Sequence, residues 1–189
     1  SELGVKSLTR LLEKKRGEFL TVRADITKED EVKNMMALIK KRFGALDVII
    51  NNAGVNQTQA IERLNLSDFR RIIDTNLAGA IIVTRYALPL LKKSELARIV
   101  FISSATTLLG SKRRLSYVVS KSGLLGLHRT LALELAPRIL VNSIVPGYID
   151  TKMFRKYNRR PVSEKIKRIP LQRIGRPEEV SAMVVFLAS

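Results

Sequence analysis

Residues 98–121 read RIVFISSATTLLGSKRRLSYVVSK. The first five residues are nearly all apolar, which is the pattern of a strand buried on both faces rather than on one. A polar loop follows, and a helix is predicted to begin near Ser116 and to end near Pro137. This stretch therefore predicts one strand–loop–helix unit of an α/β fold.

The predicted helix carries Tyr117 and Lys121 four residues apart, hence one turn apart on the same face. An ammonium group beside a phenol favours the phenolate, so Lys121 is predicted to lower the pKa of Tyr117 from its usual value of about 10. Ser104 precedes Tyr117 by thirteen positions and is placed to share a substrate oxygen with that phenol. An ordinary surface helix would fit the same spacing, so the interpretation depends on the rest of the chain.

Strands alternate with helices on both sides of this unit. Further strands are predicted at 19–22, 46–50 and 139–145, and helices at about 5–16, 27–43, 67–91, 116–136 and 177–187. Two helix starts carry capping signals: Thr27 with Asp30 resembles a capping box, and Ser67 is the expected N-cap of the 67–91 helix. The alternation predicts a doubly wound parallel sheet of Rossmann type in three layers, and the length predicts that residues 1–189 form one domain.

Polar or glycine-containing segments follow each predicted strand. They are Asp25, Asn52-Ala53-Gly54, Ser104 and Pro146-Gly147. Because ligands of such folds bind at the carboxyl ends of parallel strands, these segments are expected to form one site.

The net charge is +17, from 34 Lys and Arg against 17 Asp and Glu. Such an excess favours polyanionic partners. However, the basic clusters at 14–16, 40–42 and 92–93 fall near the C-terminal ends of predicted helices, where cations complement the helix dipole. With aromatic residues at 5%, there is also little material for base stacking. No nucleic-acid partner is expected.

The chain has no cysteine, which excludes a disulfide, a thiolate nucleophile and a cysteine metal site. No apolar run approaches the roughly 20 residues of a membrane span, and the first residues do not resemble a signal peptide. We expect a cytoplasmic protein with no membrane segment and no metal site. His128, the single histidine, is expected to be a packed or surface residue rather than a catalytic base.

Together these segments resemble the short-chain dehydrogenase/reductase family, in the family's order and spacing over nearly the whole chain. The matching segments are NNAG at 51–54, Asn76 within DTNL at 74–77, Ser103-Ser104, Tyr117-x-x-x-Lys121, PGYIDT at 146–151 and PLQRIGRPEEV at 170–180. The resemblance implies an oxidoreductase that uses NAD or NADP to interconvert a carbonyl and a secondary alcohol by hydride transfer.

The resemblance also implies a role for each catalytic residue. Tyr117 would be the proton donor in carbonyl reduction and the acceptor in the reverse direction. Lys121 would lower the pKa of Tyr117 and hold the nicotinamide ribose, while Ser104 would polarise the substrate oxygen. Asn76 would hold a water in a proton relay to Lys121, and Ser103 would be structural.

The cofactor contacts are implied in the same way. Asp25 and Ile26 would flank the adenine, and Asn52, Ala53 and Gly54 would line the ribose and nicotinamide side. Tyr117 and Lys121 would also touch the cofactor. The nicotinamide end would be contacted by Pro146, Gly147, Ile149 and Thr151.

The sequence departs from the family in one respect. The family's glycine-rich turn, which holds the cofactor pyrophosphate at a helix N-terminus, has no counterpart in residues 1–189. We therefore expect a partial sequence that lacks the family's first, second and last strands, in which the 19–22 and 46–50 strands do not pair directly. The alternative is a natural variant that binds no cofactor. Because the absent second strand usually carries the residue that separates NAD from NADP, the sequence does not distinguish the two.

Within the family, the spacing and tail look most similar to 3-oxoacyl-[acyl-carrier-protein] reductases, with sugar or polyol dehydrogenases as the alternative. Lys112, Arg113 and Arg114 would suit an acidic carrier protein or a CoA phosphate, or are simply a solvated loop. A non-catalytic protein of the same fold, serving in binding or regulation, is the alternative of another class.

Family members commonly form homotetramers, and a homodimer is the second expectation. The implied contact helices are 67–92 and 116–136. Leu124, Leu127 and Leu131 would serve that interface or pack on the sheet.

Overall fold

A computed structural model describes residues 9, 12, 13, 17–157, 162–167 and 169–189. Most of the helix predicted at 5–16, and the basic residues at 14–16, lie outside the described residues. The strands are β1 (Val48–Asn51), β2 (Arg98–Ile102) and β3 (Leu140–Ile144). The helices are α1 (Glu29–Phe43), α2 (Leu66–Ile73), α3 (Gly79–Leu91), α4 (Thr106–Leu109), α5 (Leu115–Leu135), α6 (Lys152–Tyr157), α7 (Val162–Ile166) and α8 (Pro177–Ala188), with a 3-10 turn at Ile61–Arg63 and a π-helical turn at Asp74–Ala78.

The described strands form a parallel sheet in the order β1-β2-β3. Successive side chains of a strand point to opposite faces, yet Ile99, Val100 and Phe101 of β2 are all completely buried. Both faces of the sheet are therefore covered. Helices α5 and α8 pack on β3, and α3 packs on β1. The predicted α/β fold with a parallel, doubly covered sheet is confirmed.

The prediction of a strand at 19–22 is wrong. Residues 18–25 have no regular secondary structure, and Phe19 and Leu20 are partly exposed. An extended segment becomes part of a sheet only when a neighbour satisfies its backbone groups, and among the described residues this segment has no such neighbour. It does not pair with β1, as expected.

Neither helix start is capped as predicted. The N-cap of α1 is Lys28, and no side chain among the described residues caps this helix. In the turn before it, Asp25 Oδ1 accepts from the Thr27 amide at 3.0 Å and from the Thr27 hydroxyl at 2.8 Å. Before α2, Asn65 is the N-cap, and its Oδ1 accepts from the Ser67 amide at 2.8 Å and hydroxyl at 2.7 Å. In both cases the acceptor lies two residues before its donor in a local Asx turn, and the turn at Asn65 also caps its helix.

Helix α5 is the longest described element and lies against the sheet. Leu124 is almost completely buried, and Leu127 and Leu131 pack against the same core. These three leucines therefore serve the sheet rather than an outer surface. No helix in the described part of the chain is both long and apolar enough to cross a membrane.

The segment after β3 folds back over the carboxyl edge of the sheet. Ile149 forms an isolated bridge with Gly175, so the 146–151 motif and the 170–180 tail lie side by side. Arg155 donates two hydrogen bonds of 2.8 Å to the Asp150 carboxylate and ties the start of α6 to this segment.

Candidate active site

The four predicted catalytic residues come from three neighbouring elements. Ser104 follows β2, Tyr117 and Lys121 lie in the first turns of α5, and Asn76 lies in the π-helical turn between α2 and α3. The fold joins these elements at the carboxyl edge of the sheet, as predicted. Hydrogen bonds connect Asn76 to Tyr117 through Ser120, while Lys121 is held by the backbone at the end of β2 and by Ser103.

Lys121 is a buried cation, with 4% of its surface exposed. Its Nζ donates to the Ile102 carbonyl at the end of β2 over 2.7 Å, and its own carbonyl accepts from the Ser103 hydroxyl at 3.0 Å. Ser103 therefore anchors α5 to β2, the structural role expected for it. Burial penalises the charged form and lowers the pKa of Lys121 to about 8.

Tyr117 stands beside Lys121, with the lysine Nζ 6.0 Å from the centre of the phenol ring. Burial raises the pKa of Tyr117, although the hydrogen bond with Ser104 and the charge of Arg114 act in the opposite direction. The prediction that Lys121 lowers this pKa is therefore wrong for this structure. The lysine directs its ammonium group at a backbone carbonyl, and removal of the phenol from water dominates.

Ser104 is held by a residue that the sequence interpretation missed. Its Oγ accepts from the Thr106 hydroxyl at 3.0 Å and from the Thr106 amide at 3.3 Å. The Ser104 hydroxyl proton is thereby left to donate elsewhere. A Ser followed two positions later by Thr is the signal that predicts such a turn.

Asn76 is 1% exposed and joins two elements. Its Oδ1 accepts from the Val55 amide at 2.7 Å, and its Nδ2 donates to the Val55 carbonyl and to Ser120 Oγ, each at 2.9 Å. The Ser120 hydroxyl in turn donates to the Tyr117 carbonyl at 2.8 Å. Asn76 thus connects the segment after β1 to the helix that carries Tyr117, and Ser120 is the second residue missed from sequence.

Gly54 lies beside two of these side chains. A Cβ at this position would lie 3.3 Å from Asn76 Oδ1 and 3.5 Å from Lys121 Nζ. Asn52 and Ala53, just before it, are exposed. A side chain at position 54 would occupy space in front of Lys121, so this edge of the site fits the close approach of a cofactor.

Asp25 and Ile26, the two residues predicted to flank the adenine, differ in exposure and packing. Asp25 is exposed and lines a groove of about 490 Å³ with residues of α2 and the π-helical turn. The Ile26 side chain instead packs on α3, where a Cβ at Gly79 would lie only 2.8 Å from its Cδ1. Ile26 is therefore partly buried against the core.

The segment after β3 borders Ser104. The Pro146 carbonyl accepts from the Ala105 amide at 2.8 Å, which fixes this segment beside the loop that carries Ser104. Gly147 is exposed, while Ile149 is engaged in the bridge to Gly175. Thr151 Oγ1 accepts from the Phe154 amide at 3.1 Å and so caps α6.

His128 lies two turns beyond Lys121 on α5. It is partly buried, and burial lowers its pKa, while a backbone hydrogen bond with Val141 acts in the opposite direction. It has the environment of a packed histidine. Within the described ranges, no group of three or more His, Asp or Glu residues could hold a metal ion.

Comparison with known proteins gives consistent matches. The family model described as Enoyl-(Acyl carrier protein) reductase matches residues 1–189. The 3-oxoacyl-[acyl-carrier-protein] reductase of Synechocystis sp. is 35% identical over 174 residues, which cover 92% of this chain and 69% of that protein. The corresponding reductase of Thermotoga maritima is 36% identical over 166 residues, 87% of this chain and 68% of that one.

Two solved structures have the same architecture. The ligand-free aldohexose dehydrogenase of Thermoplasma acidophilum superposes with a TM-score of 0.86 at 35% identity, covering 92% of this chain and 72% of that one. A short-chain dehydrogenase/reductase from Brucella melitensis, described as a glucose/ribitol dehydrogenase, gives a TM-score of 0.93 at 29% identity, covering 100% and 76%.

Proposed function

Because the chain belongs to the short-chain dehydrogenase/reductase family of NAD(P)-dependent oxidoreductases, we propose that it reduces a 3-oxoacyl group carried as a thioester on acyl carrier protein. The observation that carries the chemistry is the cluster of half-buried Tyr117 with buried Ser104 and Lys121. Asn76 connects the helix that carries Tyr117 to the segment after β1. The substrate class is suggested by the reductases of Synechocystis sp. and Thermotoga maritima.

The nicotinamide dinucleotide would be held along the carboxyl edge of the sheet. Asp25 and the Ile26 backbone would contact its adenosine, and the other contacts would come from Asn52, Ala53, Gly54, Pro146, Gly147, Ile149 and Thr151. When bound, it supplies the hydride. The protein supplies the position and the proton.

In the reducing direction, Tyr117 donates its phenolic proton to the substrate oxygen. A raised pKa suits this step, because the phenol is fully protonated at neutral pH. Ser104 donates its hydroxyl hydrogen to the same oxygen and stabilises the charge that develops there. Lys121, whose pKa of about 8 lies close to the working pH, returns a proton to the phenolate. Asn76 holds the water that connects Lys121 to solvent.

We also propose that residues 1–189 form a single Rossmann-type domain. The assembly that we propose is a cytoplasmic homotetramer. Four apolar residues on α3 and α5 face solvent and support an interface: Ile81, Leu115, Val119 and Leu133, with 42%, 37%, 45% and 85% of their surfaces exposed. A homodimer through the same helices is the alternative.

A sugar or polyol dehydrogenase is the second candidate, favoured by the likeness to the Thermoplasma acidophilum enzyme. The two functions share the Ser104, Tyr117 and Lys121 chemistry and differ in the substrate that reaches it. A non-catalytic binding or regulatory protein is the remaining alternative, and it would bind the cofactor without turnover.

A substrate panel on the purified full-length protein separates these functions. Oxidation of NADH and of NADPH is followed with acetoacetyl-acyl carrier protein and with a crotonyl thioester, and reduction of NAD and NADP is followed with glucose. We expect the acetoacetyl substrate to be turned over and the crotonyl substrate not to be, because Tyr117 delivers its proton to an oxygen. Turnover of glucose alone would replace the proposed substrate, and cofactor binding without any turnover would favour the non-catalytic alternative.

A further inference from the structure

The three basic residues in the loop before α5 do not share one environment. Lys112 and Arg113 are exposed, whereas Arg114 is partly buried and is the N-cap of α5. The Arg114 carbonyl accepts from the Val118 amide at 2.9 Å, which begins the helix. The backbone of Arg114 is therefore fixed, and its side chain starts from a defined position one helical turn before Tyr117.

The guanidinium group of Arg114 crosses from the start of α5 to the end of α6. Its Nη2 donates to the carbonyl of Tyr157, the last residue of α6, over 3.1 Å. A cation at this end of a helix satisfies a carbonyl that has no partner within the helix. Because α6 belongs to the segment that folds back over the carboxyl edge of the sheet, this hydrogen bond holds that segment beside the helix that carries Tyr117.

Arg114 also acts on the phenol of Tyr117 through space. Its charge lowers the pKa of Tyr117, against the larger effect of burial. Lys121 directs its ammonium group elsewhere, because its Nζ donates to the Ile102 carbonyl at 2.7 Å. Burial holds the pKa of Lys121 at about 8 and raises that of Tyr117 above its ordinary value of 10.0. Lys121 therefore loses its charge before Tyr117 titrates, whereas an arginine keeps its charge throughout.

The other charged groups on the elements around Tyr117 are engaged with different partners. On α6, Arg155 is bonded to the carboxylate that precedes the helix, and Lys156 lies 5.3 Å from an aromatic ring of its own helix. The loop after β2 contributes the uncharged hydroxyl of Ser104. The charged residues of α2 and the π-helical turn that line a groove of about 490 Å³ are Arg70, Arg71 and Asp74. Arg114 is the charged side chain that acts on the phenol.

We propose that Arg114 is a positioning residue for the proton transfer, which holds α6 beside the start of α5 and stabilises the phenolate of Tyr117. When the phenolic proton passes to the substrate oxygen, the negative charge that remains on Tyr117 lies near a permanent cation. The inference rests on the proposed function, because it concerns the same proton donor. Arg114 acts through Tyr117 and through α6, and it exchanges no proton itself.

Ultraviolet absorbance of the purified full-length protein tests this without turnover. The chain contains four tyrosines and no tryptophan, so the absorbance that appears at alkaline pH reports phenolates. Subtracting the titration of the matching Tyr117→Phe variant isolates Tyr117 in each background. Arg114→Gln keeps a hydrogen-bond donor but no charge, and it should shift the titration of Tyr117 to higher pH. Arg114→Lys keeps the charge and should restore the wild-type titration.

The same variants are then compared as enzymes, with the acetoacetyl thioester of N-acetylcysteamine as a substrate that has no carrier protein. Arg114→Gln should lower kcat by about three- to tenfold and move the alkaline limit of the rate to higher pH. Arg129→Gln is the matched control, because it removes the same charge from an exposed position farther along α5. It should change neither the titration of Tyr117 nor kcat.

Three outcomes would overturn the inference while the proposed function stands. The first is an unchanged titration of Tyr117 in Arg114→Gln. The second is a shift that Arg114→Lys does not restore, since the contact rather than the charge would then be responsible. The third is a raised KM with unchanged kcat and pH profile, which would make Arg114 a substrate contact. If the wild-type protein reduces no substrate, the proposed function fails, and the absorbance titration still decides whether Arg114 acts on Tyr117.

Discussion

At the scale of single residues, Lys121 makes the stability of the protein depend on pH. Its pKa is about 8 in the folded protein against an ordinary value of 10.5. Below about pH 8 both the folded and the unfolded chain carry the proton, and the penalty for the buried charge is fully present. Between these two values the unfolded chain binds more protons, so the free energy of unfolding rises with pH.

We predict that the deprotonation of Lys121 in the folded protein raises the unfolding free energy by roughly 2–3 kcal/mol between pH 7 and pH 10. Lys121→Met should lack that rise, and the difference between the two proteins isolates it from all other titrating groups. Urea denaturation at the two pH values measures it. Equal pH dependence in both proteins would mean that Lys121 is not a buried cation.

The proximity of the proposed catalytic residues was predictable from sequence, but their environment was not. Tyr117, Lys121 and Ser104 are recognisable because helix spacing and strand ends are local properties of the chain. The raised pKa of Tyr117 depends on burial, which only the folded molecule determines. The Ser-x-Thr spacing of Ser104 and Thr106 was a local signal that the interpretation did not use. Ser120 was missed because its partner Asn76 lies 44 residues away in sequence, and such a contact leaves little trace in sequence.

At the scale of elements, the π-helical turn at Asp74–Ala78 positions the site. It interrupts the helical region that the sequence predicts as one continuous helix, and it turns Asn76 toward Val55 and α5. Such turns often occur at functional sites. Apolar periodicity does not predict this one, because the Asn76 side chain in it makes its hydrogen bonds with residues distant in sequence.

Asn76→Ala should lower the unfolding free energy by about 2–4 kcal/mol, because it leaves the Val55 amide and carbonyl without their partners. Asn65→Ala, in the cap of the neighbouring α2, is the matched control and should cost about 1 kcal/mol. Denaturant unfolding of both variants measures the difference. An Asn76→Ala loss no larger than that of the cap would contradict the connecting role.

The predictions for β2 and for the 19–22 segment show a second limit of what sequence patterns can predict. β2 was predicted correctly at 98–102 because an apolar run buried on both faces has a distinctive composition. The 19–22 segment has a similar composition but forms no strand among the described residues. A segment forms a strand only when a neighbouring strand is present to pair with it. Composition indicates the propensity to form a strand but not the presence of that neighbour.

At the scale of the whole molecule, the exposed apolar residues of α3 and α5 predict the assembly. Leu133→Asp should convert the proposed homotetramer to a smaller species, because it places a charge in an apolar contact. Leu96→Asp, at another exposed leucine just before β2, is the matched control and should leave the assembly unchanged. Light scattering after size-exclusion chromatography measures both. If Leu133→Asp keeps the wild-type mass, the interface lies elsewhere.

We propose that Tyr117 delivers the proton in a carbonyl reduction. The most direct measurement is the rate of NADH or NADPH oxidation with acetoacetyl-acyl carrier protein in wild type and in Tyr117→Phe, alongside the dissociation constant for the cofactor. We expect Tyr117→Phe to lower kcat by about 100-fold or more, while the dissociation constant for the cofactor stays within about twofold. A Tyr117→Phe protein with the wild-type rate would exclude this role for Tyr117.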